Sequence, residues 1–89
     1  MIKDMLLDAL EDLGEEELKR FKFKLHTTTA PGDKNIPLGR LERADRENLV
    51  GLLVEFYEDK AAVLMVSVFE DMGLKYNASK LSKGMNLIF

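Results

Sequence analysis

Between Lys19 and Lys24 the chain reads "KRFKFK", four basic side chains set around Phe21 and Phe23. Cations interleaved with aromatics can hold anions of two kinds: phosphates, with a base stacked on the ring, or carboxylates on a protein partner. Read as a helix, Leu18, Phe21 and Leu25 fall on one stripe at i, i+3 and i+7, a core-facing spacing. Phe23 then projects from nearly the opposite side, with Lys19 and Arg20 one turn behind it and Lys22 and Lys24 beside it. A docking patch with an aromatic centre is one reading. A solvated basic face with Phe23 tucked against the following loop is the plainer one.

Other chemistry is scarce. His26 is the only histidine and there is no cysteine, which removes the usual acyl-transfer and zinc constellations. At the end of a helix His26 reads as a dipole partner. Adjacent acids such as Glu11 and Asp12 read as a solvated helix face, because neither lies in an apolar segment. "DKNIPLGRLERA" begins like a calcium loop with Asp33 and Asn35. It then places Pro37 at the fifth position, Leu38 where glycine is required and Ala44 where the bidentate glutamate must be. "PGDKNIPLG" lacks the GK[ST] order of a phosphate-binding loop. The sequence therefore predicts no catalytic residue, no metal, no cofactor and no small-molecule substrate.

Every periodic segment that could carry these residues reads as helix. The first spans about Ile2 to Leu13, with Ile2, Leu6, Ala9, Leu10 and Leu13 inward and Asp4, Asp8, Glu11 and Glu15 along the opposite side. Gly14 marks its end as a left-handed turn residue. Three glutamates open the next helix, where the macrodipole favours anions, and its basic residues fill the later turns. After His26, "TTTAPGDKNIPLG" reads as a long surface loop, of a length that is often functional. A short turn around "GRLER" precedes a helix capped by Asp45, with Leu49, Leu52, Leu53 and Phe56 inward and Gly51 weakening it. Asp59 is placed to cap "KAAVLMVSVFEDM", which is apolar on almost every side and so belongs in the middle of a bundle. Val63, Met65, Val68, Phe69 and Met72 are its expected core residues. Gly73 ends it, Asn77 opens a weak last helix, and "MNLIF" is an unpatterned apolar tail. The expected architecture is an all-α bundle of five good helices and one short one, with the domain at 1–84 and the tail at 85–89.

Charge is distributed in blocks. Residues 1–17 hold seven acids against Lys3; residues 18–43 hold seven basic residues against Asp33 and Glu42; residues 44–89 hold seven acids against five basic residues. This acid–base–acid order concerns partners and not fold. The overall charge of −3, and the acidic helix beside the basic one, weigh against nucleic acid, which stays as the alternative partner. The longest apolar run, "AAVLMV", is far short of the roughly 20 residues of a membrane helix. Acids within the N-terminal apolar stretch argue against a signal peptide, so a cytoplasmic domain is expected.

Two stretches then carry a resemblance. "LLDALEDLGEEELKRFKFKL" (6–25) resembles the opening helices of a pyrin domain, and "IPLGRLERADRENLVGLLVEFY" (36–57) resembles the third and fourth helices of that family. "KAAVLMVSVFEDMGL" matches the fifth in pattern. The resemblance implies a six-helix antiparallel Greek-key bundle of the death-fold type, with a long loop before a short third helix. It implies a role in inflammasome signalling, where pyrin domains bind one another and polymerise. The expected partners are an ASC-like adaptor and a second copy of the chain. In that family an acidic surface on helices 1 and 4 meets a basic surface on helices 2 and 3 of the next molecule. By position, Glu11 and Asp45 match the first surface and Lys19 and Lys24 the second. Phe23 lies between the two lysines, where the family often has a partly exposed apolar residue. Leu38 stands where many assembling members have arginine, although Arg40 is close by, and Asn48 stands where an acid is frequent. Both departures lower the charge complementarity and weigh toward hetero-binding over self-polymerisation.

Overall fold

Leucines at the helical repeat collapse the described residues of this chain into six α-helices. The computed structural model describes residues 2–28 and 35–85; among these, α1 (Ile2–Glu11), α2 (Glu15–Thr28), α3 (Leu38–Arg43), α4 (Arg46–Tyr57), α5 (Ala61–Asp71) and α6 (Lys75–Gly84) form the bundle. A single 3₁₀ turn, Glu58–Lys60, joins α4 to α5. No strand occurs among the described residues. α5 packs on α6, α2 and α4, while α1 lies against α4 and α6 and α2 also holds α3. This is the Greek-key bundle expected, with α5 at its centre.

The core follows the predicted stripes closely. Leu6, Leu10 and Leu13 of the first segment, Leu18, Phe21 and Leu25 of α2, and Leu49, Leu52 and Leu53 of α4 are all buried. In α5, Met65, Val68 and Phe69 are fully buried, and the Phe69 ring lies against Phe21 with centroids 5.4 Å apart. Four inward assignments differ. Ile2 is exposed at the start of α1, Ala9 and Phe56 are only half-buried, and Val63 is 42% exposed. An apolar residue on a helix that is apolar all round has no periodic signal to say which side meets solvent.

Several helix ends differ from the sequence reading for identifiable reasons. Leu13 follows α1 in a tightened turn, its N–H donating to the Leu10 carbonyl at 3.1 Å. Gly14 is not left-handed. It opens α2: its carbonyl accepts the Leu18 N–H at 2.8 Å, and its own N–H donates to Glu17 Oε1 at 3.1 Å, half of a capping box. Asp45 does cap α4, accepting the Asn48 N–H at 2.8 Å. Asp59 does not cap α5; it lies in the 3₁₀ turn, and Lys60 precedes the helix without a side-chain cap. Gly73 ends α5 with φ +78°, and α6 begins at Lys75, two residues before Asn77. The loop after α2 begins later than the sequence suggests, since Thr27 and Thr28 belong to the helix. Its closing residue Ile36 is buried, and the His26 ring nitrogen Nδ1 sits 3.3 Å from the Ile36 carbonyl. The segment 29–34, and the tail beyond Met85, lie outside the described residues.

Gly51 sits in mid-α4 with nothing within 4 Å of the place a Cβ would occupy. Gly51→Ala is therefore expected to stabilise the domain by about 1 kcal/mol, raising Tm by about 4–8 °C in a thermal melt.

Candidate protein-interaction surface

The rotational setting of α2 follows from its buried stripe. With Leu18, Phe21 and Leu25 packed inward, Phe23 must face outward, and it is 60% exposed. It forms a ridge between two shallow grooves. One, along α2 itself, is lined by Glu16, Lys19, Arg20 and Lys24; the other, toward α3, by Glu15, Glu16, Leu18, Lys19, Lys22, Leu38 and Glu42. Lys19 and Arg20 are exposed and Lys24 is half-buried. Lys22 is held within the fold. Its Nζ donates to the Ala44 carbonyl at 2.6 Å and ties α2 to the α3–α4 junction.

α3 divides its charges between two sides. Leu38 and Glu42, one turn apart, edge the α2 groove, whereas Arg40 and Arg43 line a separate groove against α4. Arg40 is held there with its guanidinium 5.7 Å from the Phe56 ring centroid. The basic cluster around Phe23 thus comes from α2, and the adjoining α3 edge adds a leucine and an acid.

The acidic candidates are similarly sorted. Glu11 and Glu15 are exposed near the end of α1 and the start of α2. Asp8 lines a groove between α1 and α6, where Lys80 Nζ lies 3.0 Å from Asp12 Oδ2. The hydrogen bond and charge of Asp12 raise the Lys80 ammonium above its usual 10.5, with Asp8 adding to the effect. Lys80 keeps its proton in both folded and unfolded chains below that range, so this contribution is constant at neutral pH and lost only as pH rises through the raised value. Asp45 is exposed but engaged in capping α4. Among the described residues no three of His, Asp and Glu come together as a metal site would need, and no helix is long and apolar enough to cross a membrane.

Residues 5–79 match the family described as the PAAD/DAPIN/Pyrin domain. The solved pyrin domain of human Pyrin superimposes with a TM-score of 0.85 at 30% identity, covering 96% of this chain and 97% of that one. The chain belongs to the pyrin-domain family. It is 42% identical over 82 residues to mouse NACHT, LRR and PYD domains-containing protein 6, covering 91% of this chain and 9% of that protein. It is also 42% identical over 81 residues to mouse apoptosis-associated speck-like protein containing a CARD, covering 89% of this chain and 42% of that protein. The chain therefore spans less than half the length of either relative. The family is one of death-fold interaction modules, and this pyrin domain has the all-helical architecture that goes with it.

One residue that organises the acidic side of this pyrin domain escaped the sequence reading. Arg46 reaches from the first turn of α4 to the end of α1, donating from Nε to the Leu10 carbonyl at 3.0 Å and from Nη2 to the Leu13 carbonyl at 2.7 Å. Its Nη1 lies 3.4 Å from Glu15 Oε1. The guanidinium adds a second donor to the Leu10 carbonyl, which already accepts the Leu13 N–H, bonds the Leu13 carbonyl beyond the end of α1, and draws positive charge into an otherwise acidic edge. A signal was present. A cation in the first turn of a helix opposes the macrodipole, and its presence there implies partners outside that helix.

Proposed function

We propose that this pyrin domain is a homotypic docking module that recruits another pyrin domain and nucleates inflammasome assembly in the cytoplasm. The partner of choice is an adaptor of the type of apoptosis-associated speck-like protein containing a CARD. The observation that carries the proposal is Phe23: a phenylalanine 60% exposed, with Lys19, Arg20 and Lys24 lining the groove beside it. An apolar centre with charged surroundings is the anatomy of an interface, where the centre supplies burial and the charges steer encounter and fix register.

The complementary surface is the acidic edge with Glu11 and Asp45, to which Asp8 and Glu15 add charge. Two different surfaces on one molecule make a heterologous contact, and such contacts extend into helical filaments when they do not close. Leu38 and Asn48 leave this chain with less charge on each side, which favours an adaptor over a second copy as the first partner. The module is assigned to residues 1–84, with 85–89 as a tail.

Two titrations at physiological salt test the proposal. Fluorescently labelled domain should bind an adaptor pyrin domain with micromolar or tighter affinity, and single- and double-stranded oligonucleotides should not compete. Micromolar binding to the oligonucleotides with none to pyrin domains would assign α2 to nucleic acid instead.

A further inference from the structure

The chain has two tyrosines, and the fold treats them oppositely. Tyr57, at the end of α4, is half-buried, with its ring centroid 6.4 Å from that of Phe56. Tyr76 lies in the first turn of α6 and is 75% exposed, more than any other large apolar or aromatic side chain among the described residues. One turn further along the same helix stands Lys80, whose Nζ reaches across to α1 and lies 3.0 Å from Asp12 Oδ2. Asp12 chiefly, and then Tyr76 and Asp8, hold that ammonium above its usual range, which places the phenol within electrostatic reach of it. The Lys80 side chain is 56% exposed, so it can turn to another anion without unpacking the core.

We propose that Tyr76 is a phosphorylation site whose phosphate takes Lys80 from Asp12. The donor is ATP bound to a tyrosine kinase. The phenol oxygen forms a bond to the γ-phosphorus, the bond to the β-phosphate oxygen breaks, ADP leaves, and the phenolic proton passes to the kinase's aspartate. Access is open on the folded domain. α6 starts without a side-chain cap, directly after the turn at Gly73 and Leu74, so its first turn opens more readily than the interior of the bundle. Exposed Glu70 and Asp71, just upstream, offer an approach to a kinase with a basic substrate cleft. The product carries about −1.5 to −2 charge at neutral pH, more than the single charge of Asp12. An anion four residues before a lysine is the favoured order for a helical pair, so the phosphate outcompetes a carboxylate on another helix. Phosphorylation thereby breaks the ion pair between α6 and α1 and leaves Asp12 unpaired next to Asp8 in the α1–α6 groove.

The test incubates the folded, ¹³C-labelled 89-residue chain with ATP, Mg²⁺ and the catalytic domain of a broad-specificity tyrosine kinase. Peptides spanning residues 52–61 and 71–80 serve as unfolded references for the two tyrosines. Both peptides should be modified. On the folded chain, mass spectrometry should find Tyr76 modified roughly tenfold or more faster than Tyr57, whose ring must first leave its packing. Tyr76→Phe should take no phosphate at that position, with circular dichroism showing the fold retained. In the phosphorylated chain the Asp12 carboxyl ¹³C resonance should move to its position in the Lys80→Gln variant. Phosphorylating Lys80→Gln itself should leave that resonance nearly in place. Equal rates at Tyr57 and Tyr76, or modification of the 71–80 peptide without modification of folded Tyr76, would overturn the site. A 71–80 peptide that the kinase ignores would overturn it equally. Phosphate on Tyr76 with the Asp12 resonance unmoved would overturn the transfer of Lys80. Neither measurement involves a partner domain, so the outcome is independent of docking at Phe23.

Discussion

Phe69→Ala is expected to cost about 3–5 kcal/mol, the loss typical of a fully buried phenylalanine truncated to alanine. Phe69 is 0% exposed, sits in the central helix and packs its ring on Phe21 with the planes tilted by 49°. Part of the loss is the cavity left between α2 and α5, and about 0.5–1.5 kcal/mol belongs to the ring pair itself. In a domain of this length the total stability is on the order of 5–13 kcal/mol, so the variant forfeits a large share of it. Denaturant melts should show the loss in the midpoint, and a thermal melt should show Tm lower by at least about 12 °C. Val63→Ala on the same helix is the control. Val63 is 42% exposed, and its truncation should fall within about ±0.5 kcal/mol. Equal losses at the two positions would mean that α5 is not oriented with Phe69 inward and Val63 outward.

Lys19→Glu, Lys24→Glu and Phe23→Ala are each expected to abolish or weaken adaptor binding by tenfold or more, roughly, while leaving the fold intact. Exposed ion pairs are individually worth about 0–1 kcal/mol. Loss of one attraction is therefore modest; reversal to glutamate adds repulsion, and Phe23→Ala removes the apolar centre. Light scattering and adaptor pull-down report assembly, with circular dichroism as the folding control. In the pairing of copies, Glu11→Lys in one molecule should partly restore association with the Lys19→Glu form. The choice of substitution matters here. Lys22→Glu would break the 2.6 Å clamp on the Ala44 carbonyl, and Asp45→Ala would remove the cap of α4, so both would mix folding with docking. Asp45→Asn keeps an acceptor for the Asn48 N–H and changes only the charge. If folded Lys19→Glu, Lys24→Glu and Phe23→Ala all assemble like the wild type, the α2 face is a solvated surface and the proposed function fails.

What the sequence determined by itself is what short-range geometry controls. A repeat of 3.6 residues places Leu18, Phe21 and Leu25 on one side of α2, and the same rotation forces Phe23 to the other, so the exposed ring was legible before any tertiary contact. The Asp45 cap and the Gly73 terminus were legible for the same reason, each depending on a few adjacent residues. Where a helix is apolar all round, as α5 is, period carries no direction, and only packing on α2, α4 and α6 put Val63 at the surface. The charged residues were sorted by contacts across long stretches of chain: Lys22 with Ala44, Arg46 with Leu10 and Leu13, Lys80 with Asp12, and Arg40 with Phe56. Charge type is written at each position, but the partner of a long basic side chain is set by the relative rotation of two helices, and that rotation is a property of the whole packed core.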